Sequence, residues 1–168
     1  KLVTGVQTCA LPICTYFDLP KHTGERLEIA LGSANAPRQA LEEAGWRLHD
    51  PLHVTRNLDS YKSFIQASKG EFSVAKHGYV VTNSGWVSER SLSYMASGRP
   101  VVAQDTGFSE WLPSNRGVVG FRTADEAAEA LREVGGHYEE HCRAARDITQ
   151  EYFDYRIVLP NLGERAMR

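Results

Sequence analysis

No run of about 18 apolar residues occurs in the chain, so the sequence carries no transmembrane helix. It also lacks a G-x-x-x-x-G-K-[ST] loop, a G-x-S-x-G elbow, an H-E-x-x-H helix and a Cys-x2-Cys pair. These absences set aside P-loop nucleotide hydrolysis, α/β-hydrolase chemistry and the commonest zinc motifs. His137 and His141 stand four apart beside Cys142, but they lack a third ligand and read as helix surface and core; no metal or cofactor is expected. Neither sign of charge is in excess: the net charge is −2 with the signs interspersed, which gives no long-range attraction for nucleic acid or an anionic membrane. Any phosphate binding must then be local. The three cysteines, odd in number and without framework spacing, fit a reducing compartment and a cytoplasmic location.

What is present describes an ordinary globular domain, with 42% apolar and 24% charged residues over a length of 168, enough for one sizeable core. The stretch Ser84 to Gly107, SGWVSERSLSYMASGRPVVAQDTG, carries the strongest local pattern. Ser88 is suited to accept from the first free N–H groups of a helix running from Glu89 to about Ser97. Leu92, Met95 and Ala96 share one face and Arg90, Ser93 and Ser97 another, so the first face is expected in the core and the second in solvent. Gly98 suits the left-handed position after the helix and Pro100 stops it. Pro100 to Ala103 is an apolar run of the buried parallel type, and it delivers Gln104-Asp105-Thr106-Gly107 to the carboxyl edge of a sheet, where open α/β sheets bind ligands.

Elsewhere the pattern alternates strand and helix. Strands are expected at 27–31, 46–48, 71–75, 100–103 and 118–121, with a brief strand or extended loop at 79–81. Helices are expected at 36–44, 58–68, 89–97, 124–134 and 137–153, with a short one after Asp154 and a break at Gly135-Gly136. No G-x-G-x-x-G follows the first of these strands, which argues against a dinucleotide-dependent dehydrogenase. The order is that of a doubly wound parallel sheet, a Rossmann-like α/β domain.

The residues GWVSERS followed by MASGRPVVAQDTGF, within a longer run from GEFSVAK to QDTGF, resemble the donor-binding motif of group 1 glycosyltransferases with the GT-B architecture, especially the CgeB-type branch. The resemblance spans roughly Leu27 to Leu162. It implies the C-terminal half of a two-domain enzyme that transfers a sugar from a nucleotide diphosphate to an acceptor. The partners it implies are the nucleotide-diphosphate sugar and an N-terminal acceptor domain, without which the fragment is expected to be inactive. Many relatives carry a Glu where Ser93 stands and an acid where Gly85 stands, so contacts made by those carboxylates do not transfer. Separately, VTGVQTCALPI at residues 3–13 resembles the in-frame translation of a short-read sequencing adapter. This divides the chain into an artefactual segment at 1–14, a linker at 15–26 and a nucleotide-sugar-binding domain at 27–168.

The candidate donor-binding residues are Glu71, Lys76, Gly85, Trp86, Ser88, Arg90, Ser93, Asp105, Thr106 and Gly107; no catalytic residue is assigned. The start of the Ser88 helix presents unpaired N–H groups and partial positive charge, and Arg90 in its first turn adds a charge-assisted contact for a pyrophosphate. The alternative reading is that Arg90 merely pairs with a surface carboxylate. Lys76 at a strand end is either a phosphate contact or a solvated lysine, Asp105-Thr106-Gly107 either approach the sugar or form a plain turn, and Trp86 either stacks on a base or is buried. Glu71 and Glu89 are the acids at hand to replace those missing at Gly85 and Ser93. The other readings are a non-catalytic nucleotide-binding or regulatory Rossmann-like domain and a flavodoxin-like receiver, the latter weakened by the lack of an acidic cluster at the first strand end.

Overall fold

A computed structural model of the chain describes residues 2–4, 12–32 and 35–167. Six strands form one sheet in which every neighbour runs parallel: β1 (Leu2–Thr4), β2 (Leu27–Ala30), β3 (Arg47–His49), β4 (Gly70–Ser73), β5 (Val101–Gln104) and β6 (Val118–Phe121), in the order β3-β2-β1-β4-β5-β6. Strand order reverses between β1 and β4. In such doubly wound sheets the crevice at that reversal, outside the carboxyl ends of the strands, is the ligand position.

The helices are α1 (Leu19–Thr23), α2 (Arg38–Glu43), α3 (Pro51–Val54), α4 (Leu58–Ala67), α5 (His77–Val81), α6 (Glu89–Ala96), α7 (Ala124–Gly136), α8 (Tyr138–Phe153) and α9 (Tyr155–Ala166). Because side chains alternate along a strand, the sheet has two different faces. Leu27, Ile29, Phe72, Val102 and Phe121 meet Tyr16, Leu19, Ala127, Leu131 and Val134 on one side. Phe72 and Phe121 stack there at 5.2 Å, with the edge of Tyr16 against both rings. On the other side Val101 and Val118 pack with Ile65, Tyr94, Met95, Ala145 and Ile148. That second face also holds two buried carboxylates, Glu28 and Glu71, both in register with Val3 of β1.

Several expectations change. Leu2–Thr4, read as part of a segment outside the fold, provides the strand between β2 and β4. A parallel ladder is made by backbone N–H and C=O groups, which every residue type but proline supplies in full. Residues 15–26, read as linker, are folded: a 3-10 turn (Pro12–Tyr16) and α1 place Tyr16 and Leu19 in the core. Residues 79–81 are helical within α5 rather than extended. Asp50 caps the unforeseen α3 by accepting from the Leu52 N–H at 2.9 Å. α7 runs through Gly135-Gly136, since its buried Ala127, Ala128, Leu131 and Val134 hold it against the sheet despite the low helix propensity of glycine.

Candidate functional site

β4 ends in Ser73, and the chain passes through the buried Val74 and Ala75 to the exposed Lys76, so the first residues beyond the strand are anchored while the lysine reaches solvent. β5 ends beside it: the side-chain oxygen of Gln104 accepts from the Ala75 N–H at 3.2 Å, tying the two strand ends together. Next to these ends α6 begins. Ser88 is buried, and its Oγ accepts from the Arg90 N–H at 3.3 Å. The buried face of α6 is Ser91, Tyr94 and Met95, with Leu92 half-buried and Ala96 exposed. The helix is therefore rotated from the expected stripe, because Tyr94, the largest of its side chains, goes to the core between α4 and the sheet. Burial pushes the Tyr94 phenol well above its usual pKa, with Glu71 adding to the effect.

That rotation turns Arg90 inward. Its Nε donates to Oε1 of Glu71, and its Nη2 donates to Ser73 Oγ at 3.2 Å. Glu71 is fully buried. Burial on its own would lower the Arg90 pKa, but the charge of Glu71 and its hydrogen bond outweigh it, so the guanidinium is held charged. Glu71 Oε2 is buried with no hydrogen-bond partner among the described residues. Above this pair lies an open cleft of about 400 Å³ lined by Thr55, Tyr61, Glu89, Arg90 and Ser93. The Tyr61 phenol is raised chiefly by burial, with Arg90 opposing.

On the other side of α6 the loops are locked together. Thr106 is fully buried; its Oγ1 donates to the Trp86 carbonyl at 2.6 Å and its carbonyl accepts from the Gly85 N–H at 2.8 Å. Trp111 Nε1 donates to the Gly85 carbonyl at 3.1 Å. Trp86 stacks on Tyr79 with centroids 4.7 Å apart. Asp105 turns away from solvent: Oδ2 accepts from Ser109 Oγ at 2.8 Å and Arg122 Nη2 at 2.9 Å, and Oδ1 from the Gly107 N–H at 2.9 Å. Burial favours its neutral form, but those donors prevail and hold the carboxyl below the usual range.

The structure thus gathers Gly85, Trp86, Ser88, Thr106 and Gly107 at the carboxyl edge, leaves Lys76 exposed nearby, and sets Ser93 on the cleft. It does not present three of the candidates as the sequence suggests. The Arg90 guanidinium is engaged by Glu71 rather than standing free at the helix start, Glu71 is beneath the surface, and Asp105 braces its own turn. Sequence reasoning missed Ser73, Thr55 and Tyr61. Ser73 was within reach of it, because residues two apart on a strand share a face and Ser73 follows Glu71 at that spacing. Thr55 belongs to the turn after α3, which left no readable signal. Among the described residues no group of three or more His, Cys, Asp or Glu gathers to hold a metal, and no helix is long and apolar enough to cross a membrane.

A six-stranded parallel sheet in this order, with a cleft at its carboxyl edge, defines a Rossmann-like α/β domain. Residues 21–161 match the profile of a family described as glycosyl transferase-like, and the chain belongs to that family. Among solved structures it is similar to the crystal structure of AviGT4, a glycosyltransferase involved in avilamycin A biosynthesis, at 17% identity and a TM-score of 0.49. That alignment covers 95% of this chain and 51% of AviGT4, so the chain spans about half the length of that protein. No curated protein sequence matches it.

Proposed function

We propose that the chain is the donor-binding half of a GT-B glycosyltransferase, holding a nucleotide-diphosphate sugar at residues 27–168 while an N-terminal domain supplies the acceptor. The observation that carries this reading is the cleft at the start of α6, where Arg90 is fixed in place by Glu71 and Ser73 and still has N–H groups with no acceptor among the described residues. A guanidinium has five donors and two are committed here. The remaining ones, with the free N–H groups at the α6 start, suit the charge that builds on a departing diphosphate. Such a half positions the donor and stabilises the leaving group, while transfer waits for the acceptor domain. With this reading goes a cytoplasmic location, in line with the three cysteines that lack framework spacing.

Glu89 bears on the choice between an enzyme and a non-catalytic nucleotide-binding domain. It lines the cleft next to Ser93, so a carboxylate is available for sugar or ribose hydroxyls although Ser93 is not acidic. This favours the transferase. We also keep the reading of residues 1–14 as adapter-derived, which is supported by a family match that starts at residue 21. The test of function is thermal protection by uridine- or guanosine-diphosphate sugars; magnesium with a phosphoryl donor protecting instead would mark a receiver and end the proposal.

A further inference from the structure

We infer that Tyr79 and Trp86 form the ledge on which the base of a nucleoside diphosphate stacks. This rests on the donor reading above and deepens it, since it says which residues meet the base. The two rings lie 4.7 Å apart and 14° from parallel. The other stacked aromatic pair among the described residues, Phe72 and Phe121, is 0% and 1% exposed and sits at the centre of the core. Tyr79 and Trp86 belong to neither core cluster, and both are half-buried at the carboxyl edge. A pair serving the core alone would be covered; this one keeps aromatic surface in contact with water, on the edge where the ligand is expected.

The ledge is rigid before anything binds. Gly85, at φ +70°, lets the chain turn into Trp86, and the backbone on both sides of that turn is held by Thr106 and Trp111. Preorganisation of this kind removes ordering cost from binding. Its position also fits. Trp86 and Ser88 are two residues apart, at most about 7 Å of extended chain, so a base on Trp86 leaves a ribose-sized gap to a diphosphate at the α6 start. Lys76, three residues before Tyr79, is exposed with no acceptor among the described residues and supplies a cation on the same rim.

Calorimetric titration of the chain with uridine diphosphate, guanosine diphosphate and inorganic pyrophosphate tests the ledge. Trp86→Ala should weaken both nucleotides roughly ten- to a hundredfold, the range for loss of one base–aromatic stack, and leave pyrophosphate unchanged. Trp86→Phe should retain most of the affinity, and Tyr79→Ala should weaken the nucleotides in the same sense, which keeps the test open if Trp86→Ala does not fold. Unchanged nucleotide affinity in Trp86→Ala and Tyr79→Ala would overturn the ledge and leave the donor reading standing. An equal loss for pyrophosphate would also overturn it, by showing that Trp86 only holds the loop. If the unaltered chain bound neither nucleotide, the donor reading would fall and the ledge with it.

Discussion

Arg90 and Glu71 form an ion pair between the first turn of α6 and the middle of β4, with Glu71 fully buried and Arg90 reaching in from the cleft. A residue that the sequence presents as surface is thus part of the fold. Removing the arginine leaves a carboxylate in the interior with one oxygen already unpartnered. Breaking a buried pair from one side costs about 3–5 kcal/mol, whereas replacing both members by apolar groups is often neutral.

Arg90→Met should therefore lower the melting temperature by roughly 10 °C, at a few degrees per kcal/mol for a chain of this size. Arg90→Met with Glu71→Leu should recover most of that loss while still failing to bind a nucleoside diphosphate. A melt of Arg90→Met within 2 °C of the unaltered chain would mean that the pair contributes nothing to the fold and that Arg90 acts on the ligand alone.

How far the sequence reached can be seen at α6 and in the segment before β2. Ser88, Gly98 and Pro100 bound the helix through purely local chemistry, and the structure keeps those bounds. Its rotation was not local: Tyr94 against Ala96 on the inner face is decided by the space between α4 and β5, which no periodicity of eight residues reports. For the same reason the sequence names Arg90 and Asp105 at the carboxyl edge of the sheet without showing that each is held by a partner far along the chain, Glu71 and Arg122. Residues 15–26 read as linker since Pro20 and Gly24 break them, yet Tyr16 and Leu19 cap the core face that α7 leaves open.

Deleting residues 1–4 tests the strand that the sequence did not suggest. β1 pairs with both β2 and β4 over three positions each, so its loss opens two ladders at the centre of the sheet. The expected outcome is a melting temperature lowered by well over 5 °C, several hydrogen bonds at about 1 kcal/mol apiece converted by the same scale. A change within about 2 °C would mean that the sheet closes without Leu2–Thr4, as the adapter reading by itself would have it.

Gly107 has φ +94°, and a Cβ there would come 2.5 Å from Asn83 Oδ1, whose side chain is tied to Glu110 at 2.8 Å. Gly107→Ala should cost roughly 1–3 kcal/mol, combining backbone strain with displacement of Asn83. Adding Asn83→Ala should return the steric share and leave the strain. Chemical denaturation of the three variants separates the two contributions; full recovery in the double variant would show that the left-handed conformation costs nothing at this turn.

Asp105 gives the fold a pH dependence whose sign is fixed by its partners. Ser109, the Gly107 N–H and Arg122 all favour the carboxylate and together overcome the effect of burial, so its folded pKa lies below the unfolded value near 3.9. A depressed acid stabilises the native state at every pH above the unfolded value and loses that contribution as pH falls through the folded one. Asp105→Asn removes the charge yet keeps an oxygen for the Gly107 N–H, so the loss at pH 7 should be about 1–3 kcal/mol, the share of the charged hydrogen bonds. The gap between the two proteins should then narrow below about pH 4, because protonating Asp105 makes the unaltered chain resemble the variant. Denaturation curves at pH 7, 5 and 3 measure it directly. A gap that stays constant down to pH 3 would show that Asp105 acts through shape and turn geometry, with Arg122 and Ser109 adding no charge-dependent stability.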